Sequence, residues 1–185
     1  MLRLSFTVHP SEVPEIVRPE ESAGAHVERL ARDKATAVAS LLPDAVVLGG
    51  DTVVTLDGEI LGKPSGPKDA EAMLLRLAGR THRVASGLAL ALPSGEVRSG
   101  VSTTEVTFRR FSPEFVHAYV ATGEPLDKAG AYGIQGPGAA LVTGIRGDYY
   151  SVVGLPVALL LRFFEESGWE YAFTSSARPT SSTIL

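Results

Sequence analysis

An α/β fold is what this 185-residue sequence predicts, on three observations. Segments whose apolar residues recur every three or four positions alternate with short apolar or alternating runs. Brief connections rich in glycine and proline separate them. No internal repeat or composition shift marks a boundary, so residues 1–185 read as a single domain, with the Ser/Thr-rich stretch 175–185 expected to fray.

Taken in chain order, Ser22 is placed to cap a helix over residues 25–42, with Val27, Leu30, Ala31, Val38 and Leu41 on one stripe. The run Ala45-Val46-Val47-Leu48 reads as a buried strand that ends at Gly49-Gly50-Asp51-Thr52. A second strand, 53–56, turns at Asp57-Gly58 and returns through Glu59-Ile60-Leu61. Pro67 and Gly79 bracket a helix whose inner face is Ala70, Met73, Leu74 and Leu77. A long hairpin follows, 83–92 and 96–109, joined by Pro93-Ser94-Gly95. Its second arm puts Val101, Thr103, Glu105 and Thr107 on a face more polar than a core would be. Ser112-Pro113 opens a third helix that runs through Tyr119 and stops at Gly123. Glycines recur from 130 to 154 among strand-like pieces such as 139–145. The stretch 152–164 reads as buried helix, its clear part spanning 156–167 with Val157, Leu160, Leu161 and Phe164 inward.

Composition removes several function classes. Hydrophobic residues at 44% and charged residues at 21% suit a globular chain with a sizeable core. No run approaches the roughly 20 apolar residues that span a bilayer, and no basic stretch leads an apolar one at the N-terminus, so the expectation is a cytoplasmic protein with no membrane partner. The absence of cysteine excludes disulfides, thiolate metal ligands and a cysteine nucleophile. A net charge of −4 argues against nucleic acid as a partner but not against a nucleotide substrate.

Four places carry candidate chemistry. Asp51 follows two glycines at the end of a buried strand, where open α/β sheets bind ligands, and it reads either as a site carboxylate or as a turn cap. Lys34 shares the apolar stripe with Val27, Ala31 and Val38, so its head either snorkels to solvent or meets anions in a cleft. Gly62-Lys63-Pro64 is not a P-loop, since proline stands where serine or threonine belongs; Lys63 is either a solvated loop residue or a second phosphate cation. Gln135, in a glycine-dense block after Glu124, Asp127 and Lys128, offers a donor and an acceptor to a base edge or simply faces water. The histidines at 9, 26, 82 and 117 have no metal-ligand spacing.

In this order, these segments resemble the Maf family of nucleoside triphosphate pyrophosphatases. The residues that carry the resemblance are Ala31-Arg32-Asp33-Lys34-Ala35, Gly49-Gly50-Asp51-Thr52-Val53-Val54, Ile60-Leu61-Gly62-Lys63-Pro64 and Leu77-Ala78-Gly79-Arg80-Thr81-His82. The most specific is the block 122–136, TGEPLDKAGAYGIQG, and the series closes with Val152-Val153-Gly154-Leu155-Pro156. The similarity spans residues 5–168. It implies a central mixed twisted sheet with helices around it and a deep cleft between two lobes. It also implies hydrolysis of dTTP and UTP to the monophosphate and pyrophosphate, a nucleotide-pool housecleaning activity. In that reading Asp51 is the proton acceptor and Lys34 and Lys63 bind phosphate. Thr52 and Gln135 mark the dTTP/UTP branch and read the base. A divalent cation, Mg²⁺ or Mn²⁺, is implied at Asp51 and Glu15, and a homodimer is compatible with the family and with the polar face of the hairpin.

The chain departs from the family pattern in three places. It begins at what resembles the segment after the family's SPRR-type loop, whose arginines bind phosphate. Pro14 stands where an aspartate precedes the glutamate matched by Glu15, and Ser151 stands for an asparagine. The first departure keeps open a non-catalytic nucleotide-binding protein linked to septum inhibition; a separate alternative is a pyrophosphatase for non-standard purine triphosphates.

Overall fold

The computed structural model describes residues 2–173 and 177–179. Five strands form one sheet: β1 (Val47–Leu56), β2 (Glu59–Leu61), β3 (Thr81–Ala91), β4 (Val97–Phe108) and β5 (Val142–Arg146), in the order β2-β1-β3-β4-β5. Every pairing in it is antiparallel, so the expected mixed sheet is an antiparallel one among the described residues. The long β3–β4 hairpin, turning at Pro93-Ser94-Gly95, supplies most of that pairing. Residues 57 and 58 adopt φ of 53° and 87°, the left-handed pair that a two-residue hairpin needs, and the Asp57-Gly58 signal provides it.

Among the described residues, five helices pack on this sheet: α1 (Ala23–Ala39), α2 (Pro67–Leu77), α3 (Pro113–Val120), α4 (Tyr149–Val153) and α5 (Val157–Glu166). Helix α1 covers one face. Its N-cap is Ser22, whose hydroxyl accepts from the Ala25 amide. The helix ends at Ala39, three residues before the expected stop, so Leu41 falls off the stripe and is exposed. Two strand glycines let α1 lie against the sheet backbone to backbone. A Cβ on Gly49 would stand 2.7 Å from the Ala35 amide nitrogen, and one on Gly87 would overlap the Val27 carbonyl.

The opposite face holds two apolar clusters. Val54, Leu56, Val84, Val106 and Phe108 pack with α2 and α3, whereas Leu88 and Leu90 pack with α5. Leu159, Leu160, Phe163 and Phe164 are the buried residues of α5, while Val157 and Leu161 are only half-buried. The inward stripe is therefore rotated by one residue from the expected one. Gly154, at φ 112°, and Pro156 split the expected continuous helix 152–164 into α4 and α5. The strand expected over 139–145 is shortened at its start, because Gly136–Leu141 form 3-10 turns before β5 begins. Strand β6 (Trp169–Tyr171) pairs with β7 (Ala177–Pro179), so this part of the tail is ordered; residues 175–176 and 180–185, also expected to fray, lie outside the described residues.

His82 lies in the first cluster, 2% exposed, with its ring edge-on to Phe108 and Tyr132. Its Nε2 bonds the Tyr132 hydroxyl at 2.8 Å, and its Nδ1 has no hydrogen-bond partner among the described residues. Burial pushes the imidazole down from 6.5 to about 4, so the fold holds it neutral.

Two outcomes follow from this packing. Gly49→Ala should lower the urea midpoint by an amount equivalent to roughly 2 kcal/mol or more, because the atoms it meets are helix backbone and cannot rotate away. His82 favours the fold fully above its unfolded pKa, and that contribution is lost as pH falls from 6.5 through about 4. Denaturation curves across this window should lose up to about 3 kcal/mol to His82 alone, and His82→Gln should flatten that part of the profile.

Candidate active site

Side chains alternate across a strand, and β1 uses this to present two different chemistries. Gly49, Asp51 and Val53 face α1, whereas Thr52 and Val54 face the other side. Asp51 is therefore inside a ten-residue strand and not at its carboxyl end, which corrects the expectation drawn from the glycines. The α1 backbone occupies the space a side chain on Gly49 would take, whereas Gly50 faces the other side, where a Cβ would make only ordinary contacts.

On the α1 side, Lys34 reaches down from the flank of the stripe. Its Nζ donates to Asp51 Oδ1 at 2.7 Å and to Glu15 Oε1 at 2.6 Å. Lys63 Nζ lies 3.6 Å from the other Glu15 oxygen. Asp51 is nearly enclosed, with 9% of its side chain exposed, whereas Glu15 and Lys63 are open to solvent. Burial opposes the Lys34 charge most strongly, but the two carboxylates together outweigh it and hold the ammonium above its ordinary pKa. Lys34 in turn holds the Glu15 carboxyl below its usual 4.5, with Lys63 assisting. The snorkelling alternative for Lys34 is thus ruled out: its head meets two anions.

On the other side of the sheet lies a cleft of about 290 Å³, lined by Thr52, Val54, Lys63, Tyr132, Gln135, Val153 and Gly154 among others. Its apolar wall, including Val54, Val84, Tyr132 and Ile134, belongs to the first of the two clusters. The structure thus brings Glu15, Lys34, Asp51 and Lys63 together, and separately Thr52, Lys63 and Gln135; only Lys63 belongs to both groups. Asp51 and Lys34 do not line the cleft. The two groups are separated by β1, and β2 covers only its end, Val54–Leu56. Among the described residues, the edge from Val47 to Val53 on that side has no strand beside it.

Sequence reasoning missed the parts that brace these residues. Tyr119 donates to Glu124 Oε1 at 2.9 Å and accepts from the Gly133 amide, and the Gly138 amide also donates to Glu124 Oε1. Gly130, at φ 66°, passes so close to Val54 that a Cβ would stand 2.9 Å from its side chain. These contacts fix the glycine-rich loop and leave Gln135 exposed at the mouth of the cleft. Thr52 Oγ1 bonds Ser86 Oγ at 2.8 Å, and Ser86 donates to the Ser151 carbonyl at 2.6 Å. A serine among Val84, Ala85 and Leu88 was the one signal available for that pair.

A strongly charged cluster beside an apolar cleft with a few convergent polar groups is the arrangement expected of a small-molecule site. The chain belongs to the Maf-like protein family, which matches residues 1–167. A dTTP/UTP pyrophosphatase of Moorella thermoacetica is 52% identical over 91% of this chain and 89% of its own length. The dTTP/UTP pyrophosphatase of Koribacter versatilis is 46% identical over 90% and 86%, and that of Symbiobacterium thermophilum 47% over 94% and 89%. No described helix is long and apolar enough to cross a membrane.

The bridge at Lys34 can be read without activity. In Lys34→Met, the Glu15 carboxyl should titrate closer to its ordinary 4.5 than in the wild type, as followed by carbon NMR of that side chain. An unmoved Glu15 would show that Lys63 and solvent, not Lys34, set its charge.

Proposed function

We propose that this chain hydrolyses dTTP and UTP between the α- and β-phosphates, releasing the nucleoside monophosphate and pyrophosphate. The observation that carries the reading is Lys34, held between Asp51 and Glu15, with Lys63 beside Glu15 and also lining a base-sized cleft. The relatives named above act on these same two nucleotides by their names, and they align along most of this chain.

In this reading the base enters the cleft beside Thr52 and Gln135. The triphosphate passes Lys63 and reaches the open edge of β1, so that the α-phosphorus comes to Asp51. Phosphate oxygens then compete with the two carboxylates for the Lys34 and Lys63 ammonium groups. Drawing Lys34 toward phosphate releases Asp51 to accept a proton from the attacking water. Both lysines remain to offset charge that develops on the departing pyrophosphate.

A divalent cation fits the donor set. Among the described residues, no group of three or more His, Cys, Asp or Glu side chains comes together. Mg²⁺, however, ordinarily takes one or two carboxylates and completes its shell with substrate phosphates and water. Asp51 and Glu15 are two carboxylates that already converge on one cation, the Lys34 ammonium. Bound there, Mg²⁺ or Mn²⁺ would neutralise phosphate charge and acidify a water.

Asp51→Asn removes the proton acceptor but keeps the size of the side chain. Pyrophosphate release from UTP with Mg²⁺ should fall by about 10²–10⁴-fold, with far-ultraviolet circular dichroism unchanged. A variant that stays folded and keeps full pyrophosphate release would remove Asp51 from the role.

A further inference from the structure

Each hydroxyl owns a single proton, and that fact fixes a direction along β1 and β3. The Ser151 carbonyl can only accept, so the 2.6 Å contact consumes the Ser86 proton. Ser86 Oγ can then only accept along its 2.8 Å contact with Thr52, so the Thr52 proton points at Ser86. What Thr52 Oγ1 has left for the cleft is lone pairs alone. The arrangement is locked: Ser86 and Ser151 are both fully buried. Ser151 is held in turn, its hydroxyl donating to the Asp148 carbonyl at 2.8 Å and meeting Thr104 Oγ1 at 2.9 Å.

We propose that Ser86 is a positioning residue for base selection: by taking the Thr52 proton it makes Thr52 an obligate acceptor, so the cleft favours bases with a ring N–H over cytosine. This rests on the pyrophosphatase reading and adds the cause of its specificity. Uracil and thymine present an N3–H donor between two carbonyl oxygens. Cytosine presents a bare N3, which would face the Thr52 lone pairs. Gln135, at the mouth of the same cleft, has an amide N–H free to meet a base carbonyl. An acceptor aimed at an acceptor is worse than a lost bond, because both groups are desolvated and neither is satisfied.

The test is the ratio of kcat/KM for UTP over CTP, measured with Mg²⁺. Binding of UTP and CTP analogues that carry a methylene between the α- and β-phosphorus is measured in parallel by calorimetry. Wild type should prefer the uracil nucleotide in both. Ser86→Ala frees the Thr52 hydroxyl to turn its proton toward cytosine N3, and the preference should shrink by about fivefold or more. Thr52→Val leaves Ser86 bonded to Ser151 and should lose the preference too; in that background Ser86→Ala should change the ratio no further. A purely structural role for Ser86 lowers both nucleotides by the same factor, and that result overturns the proposal. So does a wild type that binds both analogues equally. A wild type that binds neither analogue and cleaves neither nucleotide overturns the pyrophosphatase reading, and the proposal with it.

Discussion

Helix α1 touches the sheet through backbone, and the positions of the charged groups depend on that contact. Helices normally stand about 10 Å from a sheet because side chains fill the gap. Here Gly49 and Gly87, on neighbouring strands, have no side chains; Ala31 and Ala35 lie against the first and the Val27–Glu28 backbone against the second. The separation closes enough to enclose the carboxylate in the middle of β1 that Lys34, on the flank of the stripe, meets. At ordinary spacing the Lys34 stem would still reach the sheet, but Asp51 would stand in a wider, wetter gap. Gly49, read from the sequence as part of a strand end, instead admits a helix.

Charge balance then explains how the cluster survives partial burial. Glu15 and Asp51 contribute two negative charges, and Lys34 and Lys63 two positive ones, within a chain of contacts at 2.6, 2.7 and 3.6 Å. Partly buried ions are tolerated when they are paired and hydrogen-bonded. The Lys34 ammonium donates to both carboxylates, and that offsets the burial that disfavours it. Such a set is neutral overall but poised. In the proposed reading, an anionic ligand that recruited the lysines would leave the two carboxylates facing each other, and that repulsion would favour a divalent cation there. Substrate and metal would therefore be coupled through a lysine that touches both carboxylates.

Much of this was legible in the sequence where the signal was periodic. The Ser22 cap, the Val27 to Val38 stripe, the Asp57-Gly58 turn and the long hairpin are local patterns, and the structure has each of them. Lys34 was conspicuous for the same reason, as a charge on an apolar stripe. Failures arose where tertiary contacts decide. Gly49-Gly50 reads as a strand end unless the helix above it is known. Pro156 reads as the start of one helix, and only Gly154 in the left-handed region shows that another ends before it. The Ser86 chain shows in the sequence only as a serine within an apolar strand, since its direction is set by a carbonyl 65 residues away.

The pleat of β1 finally accounts for the separation of the two groups. Asp51 and Thr52 are neighbours in sequence, yet they serve opposite faces because successive side chains must. A ligand that uses both must cross the strand, and it can do so only where no strand lies beside it. Strand β2 ends its pairing at Val54, which leaves the edge at Asp51 and Thr52 clear of it and places Lys63 just past the end of β2, at that crossing. Register is then the variable that matters most. A slip of one residue between β1 and β3 would turn Asp51 into the apolar cleft and Thr52 toward Lys34. Nine consecutive pairs, from Val47 with Ala91 to Thr55 with Arg83, oppose that slip. So do the two glycines, since only one register sets both beneath the α1 backbone.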